Sequence, residues 1–454
     1  MTSTERLAQF VATTQYEDIP QEAIIIAKNA LLDWLSVTIA GSKEPGVMVL
    51  SQYARELGAR SETSVICQGF KTGAELGALA NGTMGHALDF DDTFANSVRY
   101  GMHPSCTIFP AVLALAEKNG LSGRELLTAY IVGMEVEYRI GAAMGQLLTQ
   151  QGWHSTPVLG TLGAAAAVAK ALNLNLSQIK MALGIASSLA GGIGKNVGTM
   201  TKPMHAGNAA RNGIISTALA AGGFTGSSDV LEGESSFCQI FSRQEVGLMN
   251  EVVNLGQEWM LVSTGLGFKP YPSCRATHAS IDAILHLKEK YNINPDQVAA
   301  ITCKLNSFIA RNITSMPVKG YEAKFSVDYC IALALLYGKV SLEHFTDEWV
   351  TDQRIQQLMQ KVSLLSPEGW DTGTLDLIAE IGIRLKNGEE YSYLVDKPKG
   401  EPENPMNYEE LVSKFKSCAG SVHREEEMIG IVDLIQQLEE INELTEFFTI
   451  LRGA

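Results

Sequence analysis

The feature that most constrains the fold is a stretch of small residues: from Gly160 to Gly223 glycine and alanine are dense inside apolar runs of helical period. Small residues on a helix face let two backbones approach closely, so this stretch predicts helices packed through Ala and Gly surfaces. The same spacing starts much earlier. In PQEAIIIAKNALLDWLSVTIA (20–40) apolar residues recur every 3.6 positions, with Asp18 ahead and Pro20 near the first turn, where its missing N–H costs nothing. Similar patterns predict helices at about 46–58, 72–88, 107–118, 122–148, 158–172, 176–190 and 204–222.

After Gly265 the pattern changes. A helix is expected at about 277–290, a strand over Val298–Leu305 (VAAITCKL), a helix at about 325–337, and a hairpin over Ile378–Val395, where Asn387-Gly388 joins two alternating runs. The Pro- and charge-rich connector Asp396–Asn407 leads to helices at about 407–417 and 422–448, too few to form a core alone. The expected fold is therefore mainly α: an all-helical domain, 1–265 plus 400–454, interrupted by a smaller α+β domain, 266–399.

Composition narrows the partners. Of 454 residues, 35 are Lys or Arg and 50 are Asp or Glu, and the net charge of −15 argues against nucleic acid or an anionic membrane surface. Any anionic ligand must find a local cationic site. Charged residues make up only 19% against 46% hydrophobic, which suits a large helical core or a subunit interface, so an oligomer is expected. The start, Met1 to Arg6, lacks a basic segment leading into an apolar one, and no run of 18 apolar residues occurs, so a soluble cytoplasmic protein is expected. The closest two of seven cysteines are 27 positions apart, which excludes zinc ribbons, thioredoxin-like pairs and ordinary iron–sulfur spacing.

Five segments carry the candidate chemistry. Gly85-His-Ala-Leu-Asp-Phe-Asp-Asp-Thr93 places Asp89, Asp91 and Asp92 on one turn of chain, as metal ligands, caps, or a scaffold that orients a histidine. No matching His/Cys set stands beside them in sequence, so no metal is expected. His103-Pro-Ser opens an apolar helix whose free N–H groups suit a carboxylate, and Gly152-Trp-His154-Ser-Thr-Pro repeats that arrangement. Thr201-Lys202-Pro-Met-His-Ala-Gly-Asn enters another helix. Lys202 has few acidic neighbours in sequence, so it either snorkels to solvent or waits in a cleft for an anion. The nearby Gly194-Lys195 is not a phosphate loop, since Leu189 stands where the first glycine is needed and Asn196 replaces Ser/Thr. Phe268-Lys-Pro-Tyr-Pro-Ser-Cys-Arg-Ala-Thr-His278 stiffens Lys269, Arg275 and His278 between prolines, for carboxylate recognition or as a hinge. In Lys324-Phe-Ser-Val-Asp-Tyr329 the tyrosine reads locally as core, with proton donation as the alternative.

In this order, GHALDFDDT, HPS, GWHST, KPMHAGNAARNG, KPYPSCRATH and KFSVDY together resemble the MmgE/PrpD family, which includes 2-methylcitrate dehydratase, cis-aconitate decarboxylase and iminodisuccinate epimerase. The resemblance implies a large all-α domain with an α+β lid, a homodimer, and no metal or organic cofactor. It also implies a pocket of Asp89, Thr93, His103, His154, Lys202, Lys269 and Tyr329, while Arg275, from the cationic proline segment, is expected as a further substrate contact on its charge alone. The stretch Phe94–Met102 looks longer than the matching loop of animal cis-aconitate decarboxylases and would bring Arg99 and Tyr100 near the pocket mouth.

A polycarboxylate lyase needs fixed cations for carboxylates and an acid/base that moves a proton at carbon; lysines suit the first task and histidines the second. Decarboxylation to itaconate, dehydration and epimerisation can each be drawn in such a pocket. A helical dimer that only binds a carboxylate is the non-enzymatic alternative.

Overall fold

The computed structural model describes residues 1–94, 102–312, 316–370 and 377–453. The helical unit runs up to Leu266 and resumes with Asn407–Ala454. Its principal helices are Gln21–Gly41, Ala74–His86, Ser105–Asn119, Gly123–Met144, Ser155–Ala171, Leu176–Leu189 and Thr201–Ala221. Local signals set several boundaries. Ser122 with Glu125, and Asn175 with Gln178, form reciprocal capping boxes, and Gly120 ends its helix in the left-handed conformation at φ +69.

The small residues act as expected. Helix Thr201–Ala221 lies against both Ala74–His86 and Ser155–Ala171. A Cβ on Gly207 would sit 2.0 Å from the carbonyl oxygen of Leu79, and one on Gly82 would sit 2.7 Å from the Gly207 Cα. Only glycine permits that crossing, and it fixes the site-bearing ends of the two helices side by side.

Helix Gln21–Gly41 is long and apolar enough by composition to cross a membrane, yet 72% of its apolar window is buried within the protein. Its Asp33 receives Lys414 Nζ at 2.7 Å from helix Tyr408–Ala419. The same ammonium donates to the Phe90 carbonyl at 2.9 Å and lies 3.8 Å from the centre of the Phe90 ring. A C-terminal helix thus holds the acidic turn in place.

Several details depart from the sequence reading. The single helix expected over 422–448 is broken into Glu425–Gln436, a short turn at Leu438–Glu440, and Thr445–Arg452. Its carbonyls are taken by distant donors: Lys28 Nζ on Gln436, Arg124 Nε on Glu439 and the Gly123 amide on Ile441, at 2.8, 3.1 and 2.8 Å. Those bonds replace the helical ladder. A small antiparallel hairpin, Thr63–Val65 with Phe70–Thr72, was not anticipated either.

The second unit, Gly267–Met406, carries a four-stranded sheet in the order Val362–Leu365, Val298–Leu305, Ala379–Leu385, Glu390–Val395. The hairpin turns at Asn387-Gly388, with Gly388 at φ +90. The first pair is parallel, and its short strand Val362–Leu365 was missed because only the neighbouring strand gives four such residues an extended partner. Helix His278–Lys290 covers the hairpin strands.

Candidate active site

Three chain turns and one helix of the helical unit converge on a buried histidine cluster. His86 ends helix Ala74–His86, and the following residues form a tight turn in which Asp89 adopts the left-handed conformation at φ +53. Short polar side chains tolerate that conformation better than most. The turn splits the roles of its carboxylates. Asp92 accepts from the Ser105 hydroxyl at 2.5 Å and the Ser105 amide at 3.4 Å, so it caps the start of helix Ser105–Asn119. Asp91 instead faces two imidazoles: its Oδ2 is hydrogen-bonded to His86 Nδ1 at 2.9 Å and lies at ion-pair distance, 3.1 Å, from His103 Nδ1. The backbone amide of His103 donates to Thr156 Oγ1 at 3.3 Å, which ties His103 to the turn that carries His154.

His154 is the N-cap of helix Ser155–Ala171, and its amide donates to the Gly192 carbonyl at 2.9 Å. Its ring stacks on His86 at 5.8 Å between centroids, and its Nδ1 meets the Nδ1 of His205 at 3.1 Å. His205 follows Lys202 by one turn of helix Thr201–Ala221, and the Lys202 ammonium pairs with Asp89. All these side chains are buried: His86, Asp89, Asp91, His103, His154, Lys202 and His205 are each 7% exposed or less.

Burial sets the electrostatics. It pushes His86 down to about 4, only partly offset by Asp91. It also holds His154 well below the usual imidazole range, with the adjacent His86 ring and the Lys202 ammonium acting in the same direction, and it lowers His205. For Asp91 burial acts upward, but the imidazoles of His86 and His103 outweigh it and keep the carboxyl well below its ordinary range. The cluster is thus a buried carboxylate that supports two rings, with neutral histidines alongside.

The MmgE/PrpD N-terminal domain model matches residues 5–248, and the C-terminal domain model matches residues 271–438. The chain belongs to the MmgE/PrpD family. The mouse cis-aconitate decarboxylase is 28% identical over 466 residues, which cover 99% of this chain and 93% of the relative. The human protein of that name is 28% identical over 461 residues, 99% of this chain and 94% of the relative. That of Aspergillus terreus is 28% identical over 474 residues, at 99% and 95% coverage.

Of the residues singled out in the sequence, Asp89, Asp91, His103, His154 and Lys202 meet in this cluster. Thr93 is buried at 6% exposure, and its hydroxyl has no hydrogen-bond partner among the described residues. Arg99 and Tyr100 lie outside the described residues. Lys269, Arg275 and Tyr329 belong to the second unit. Lys269 is 2% exposed, and Arg275 is paired with Glu401. Tyr329 donates its hydroxyl to the His344 carbonyl at 2.5 Å, and burial raises its pKa, so it stands as a protonated phenol with its donor engaged.

Two members, His86 and His205, escaped the sequence reading although both lie inside segments it singled out. His205 was legible in principle, because residues three apart share a helix face and Lys202 was already marked. The lysine itself was read as having few acidic neighbours; folding supplies Asp89 from 113 positions away. The premise that the acidic turn has no histidine set is likewise corrected. His86, Asp91 and His103 each offer one donor atom, and these lie within 4.8 Å of one another, as a bound cation would require. The same Nδ1 to Oδ2 distances suit hydrogen bonds, so protons and a cation are alternatives for these atoms.

Proposed function

We propose that this chain is a lyase that decarboxylates a small polycarboxylate, with cis-aconitate as the first candidate and itaconate as product. One observation carries the reading: a buried, ionised Asp91 supports His103 next to the Lys202–Asp89 pair. His86, His154 and His205 are all biased toward the neutral form by burial. That leaves His103, with a carboxylate on Nδ1, as the ring suited to carry a proton on both nitrogens and to deliver one from Nε2.

The chemistry balances with a single proton. The bond from the methylene carbon to its carboxylate breaks and carbon dioxide leaves. The bonding pair forms a new terminal double bond, and the former alkene pair takes the proton from the His103 imidazolium at the carbon bearing the distal carboxylate. His103 is then reprotonated from solvent. Lys202 would hold a carboxylate and disperse the charge that moves during cleavage, while neutral His154 donates a hydrogen bond. The whole-length similarity to decarboxylases supports this choice within the family. We read the enzyme as a cytoplasmic homodimer without metal or organic cofactor.

The test is incubation with cis-aconitate, 2-methylcitrate and iminodisuccinate in deuterated water, followed by proton NMR. Itaconate with one deuteron in its saturated methylene is expected. Deuterium washed into recovered iminodisuccinate would instead identify an epimerase, alkene formed from 2-methylcitrate a dehydratase, and no turnover of any of them would favour a binding protein.

A further inference from the structure

His205 has no part in the proton delivery above, yet its Nδ1 lies 3.1 Å from the Nδ1 of His154. Two lone pairs cannot face each other at that distance without repulsion, nor can two N–H groups, so one proton lies between the rings. Each neutral imidazole carries one N–H, so the two rings must be opposite tautomers. We propose that His205 is a positioning residue: its Nδ1–H donates to His154 Nδ1 and locks His154 as the Nε2–H tautomer, a hydrogen-bond donor toward a carboxylate substrate.

The direction follows from what the other ring edge must do. With the proton on His154 Nδ1 instead, its Nε2 would carry a lone pair, which repels a carboxylate. With the proton on His205, the Nε2–H of His154 is a donor. The backbone is shaped for this contact. Gly192 accepts the His154 amide at 2.9 Å through its carbonyl, and a Cβ on Gly192 would lie 3.3 Å from His205 Nδ1 and 2.4 Å from Pro157 Cγ. A glycine there lets one segment grip the His154 backbone while the His205 ring passes beside it. Lys202, one turn back on the same helix, pairs with Asp89, so the turn that places the lysine also sets His205.

This inference rests on the proposed function for the role of His154, but its first test does not. In nitrogen-15 spectra of the wild-type protein at neutral pH, His205 is expected as the Nδ1–H tautomer and His154 as the Nε2–H tautomer. Two Nε2–H rings, or the reverse assignment, would overturn the proposal whether or not the protein turns over any polycarboxylate. The second test uses His205→Leu and His205→Gln with cis-aconitate. Leu should lower kcat about 10- to 100-fold and release the His154 tautomer, and Gln, whose amide can still donate, should restore most of the rate. Wild-type kcat in the Leu variant with an unchanged His154 spectrum would refute the role. If the Leu variant fails to fold, the wild-type spectrum and the Gln variant still decide. Inactivity of the wild type combined with the expected tautomers would refute the proposed substrate and leave the pairing intact.

Discussion

Asp91→Asn isolates the charge that supports His103. Asp91 is fully buried, and one oxygen, Oδ2, is hydrogen-bonded to His86 and within ion-pair distance of His103, while Oδ1 has no hydrogen-bond partner among the described residues. An asparagine can therefore keep its oxygen between the two rings and put its amide nitrogen where Oδ1 was. The His86 hydrogen bond survives and the charge beside His103 is lost. A carboxylate 3.1 Å from a protonated imidazole contributes about 5 kcal/mol at an effective dielectric of about 20, and spreading the positive charge over both ring nitrogens brings this to about 4 kcal/mol. At about 1.4 kcal/mol per tenfold, kcat should fall roughly 10³-fold. KM for cis-aconitate should change little, because Asp91 is proposed to touch His103 rather than substrate. The buried amide nitrogen should also cost about 1–3 kcal/mol of stability, visible as a lower Tm. Initial rates of itaconate formation by NMR, beside a thermal melt, measure both. A folded Asp91→Asn protein with kcat within threefold of wild type would show that the Asp91 charge does not serve the proton step.

Four further outcomes are expected. His103→Asn should lose at least about 10²-fold in kcat and remain folded; a normal rate there with a dead His154→Asn would exchange the two roles. Replacing Lys202 by Met should cost on the order of 2–4 kcal/mol in kcat/KM, and the variant should also melt lower because the buried Asp89 loses its ion pair with the lysine; wild-type kinetics would end the assignment. Burial pushes Glu137 up to about 8, so the folded state holds a proton that the unfolded state releases above about 4.5, and stability falls as pH rises from there through about 8. Glu137→Gln should therefore be more stable than wild type at pH 9 by on the order of 3–5 kcal/mol and nearly neutral at pH 5; equal melting curves at pH 9 would contradict this. Dialysis against a chelator should leave activity intact, and a loss restored by a divalent ion would make His86, Asp91 and His103 a metal site.

By itself, the sequence determined what is local or periodic. Helical period and small residues specified most of the helices and that they pack closely through Ala and Gly faces, though not that Gly82 meets Gly207, and Asn387-Gly388 specified the hairpin. Six motifs in order were enough to mark the family, and five of the marked residues meet in one cluster. Tertiary structure decided whatever depends on atoms far apart in the chain. Which carboxylate of the acidic turn caps a helix and which supports histidines depends on whether Ser105 or His103 arrives at it. The Lys202 partner lies 113 positions away, and the break in the last helix depends on Lys28, Gly123 and Arg124 reaching its carbonyls. Even the protonation of the histidines was undecided in the sequence. An imidazole is neutral near pH 7 or charged according to the water it has lost and the charges brought beside it, and only the packed fold fixes both.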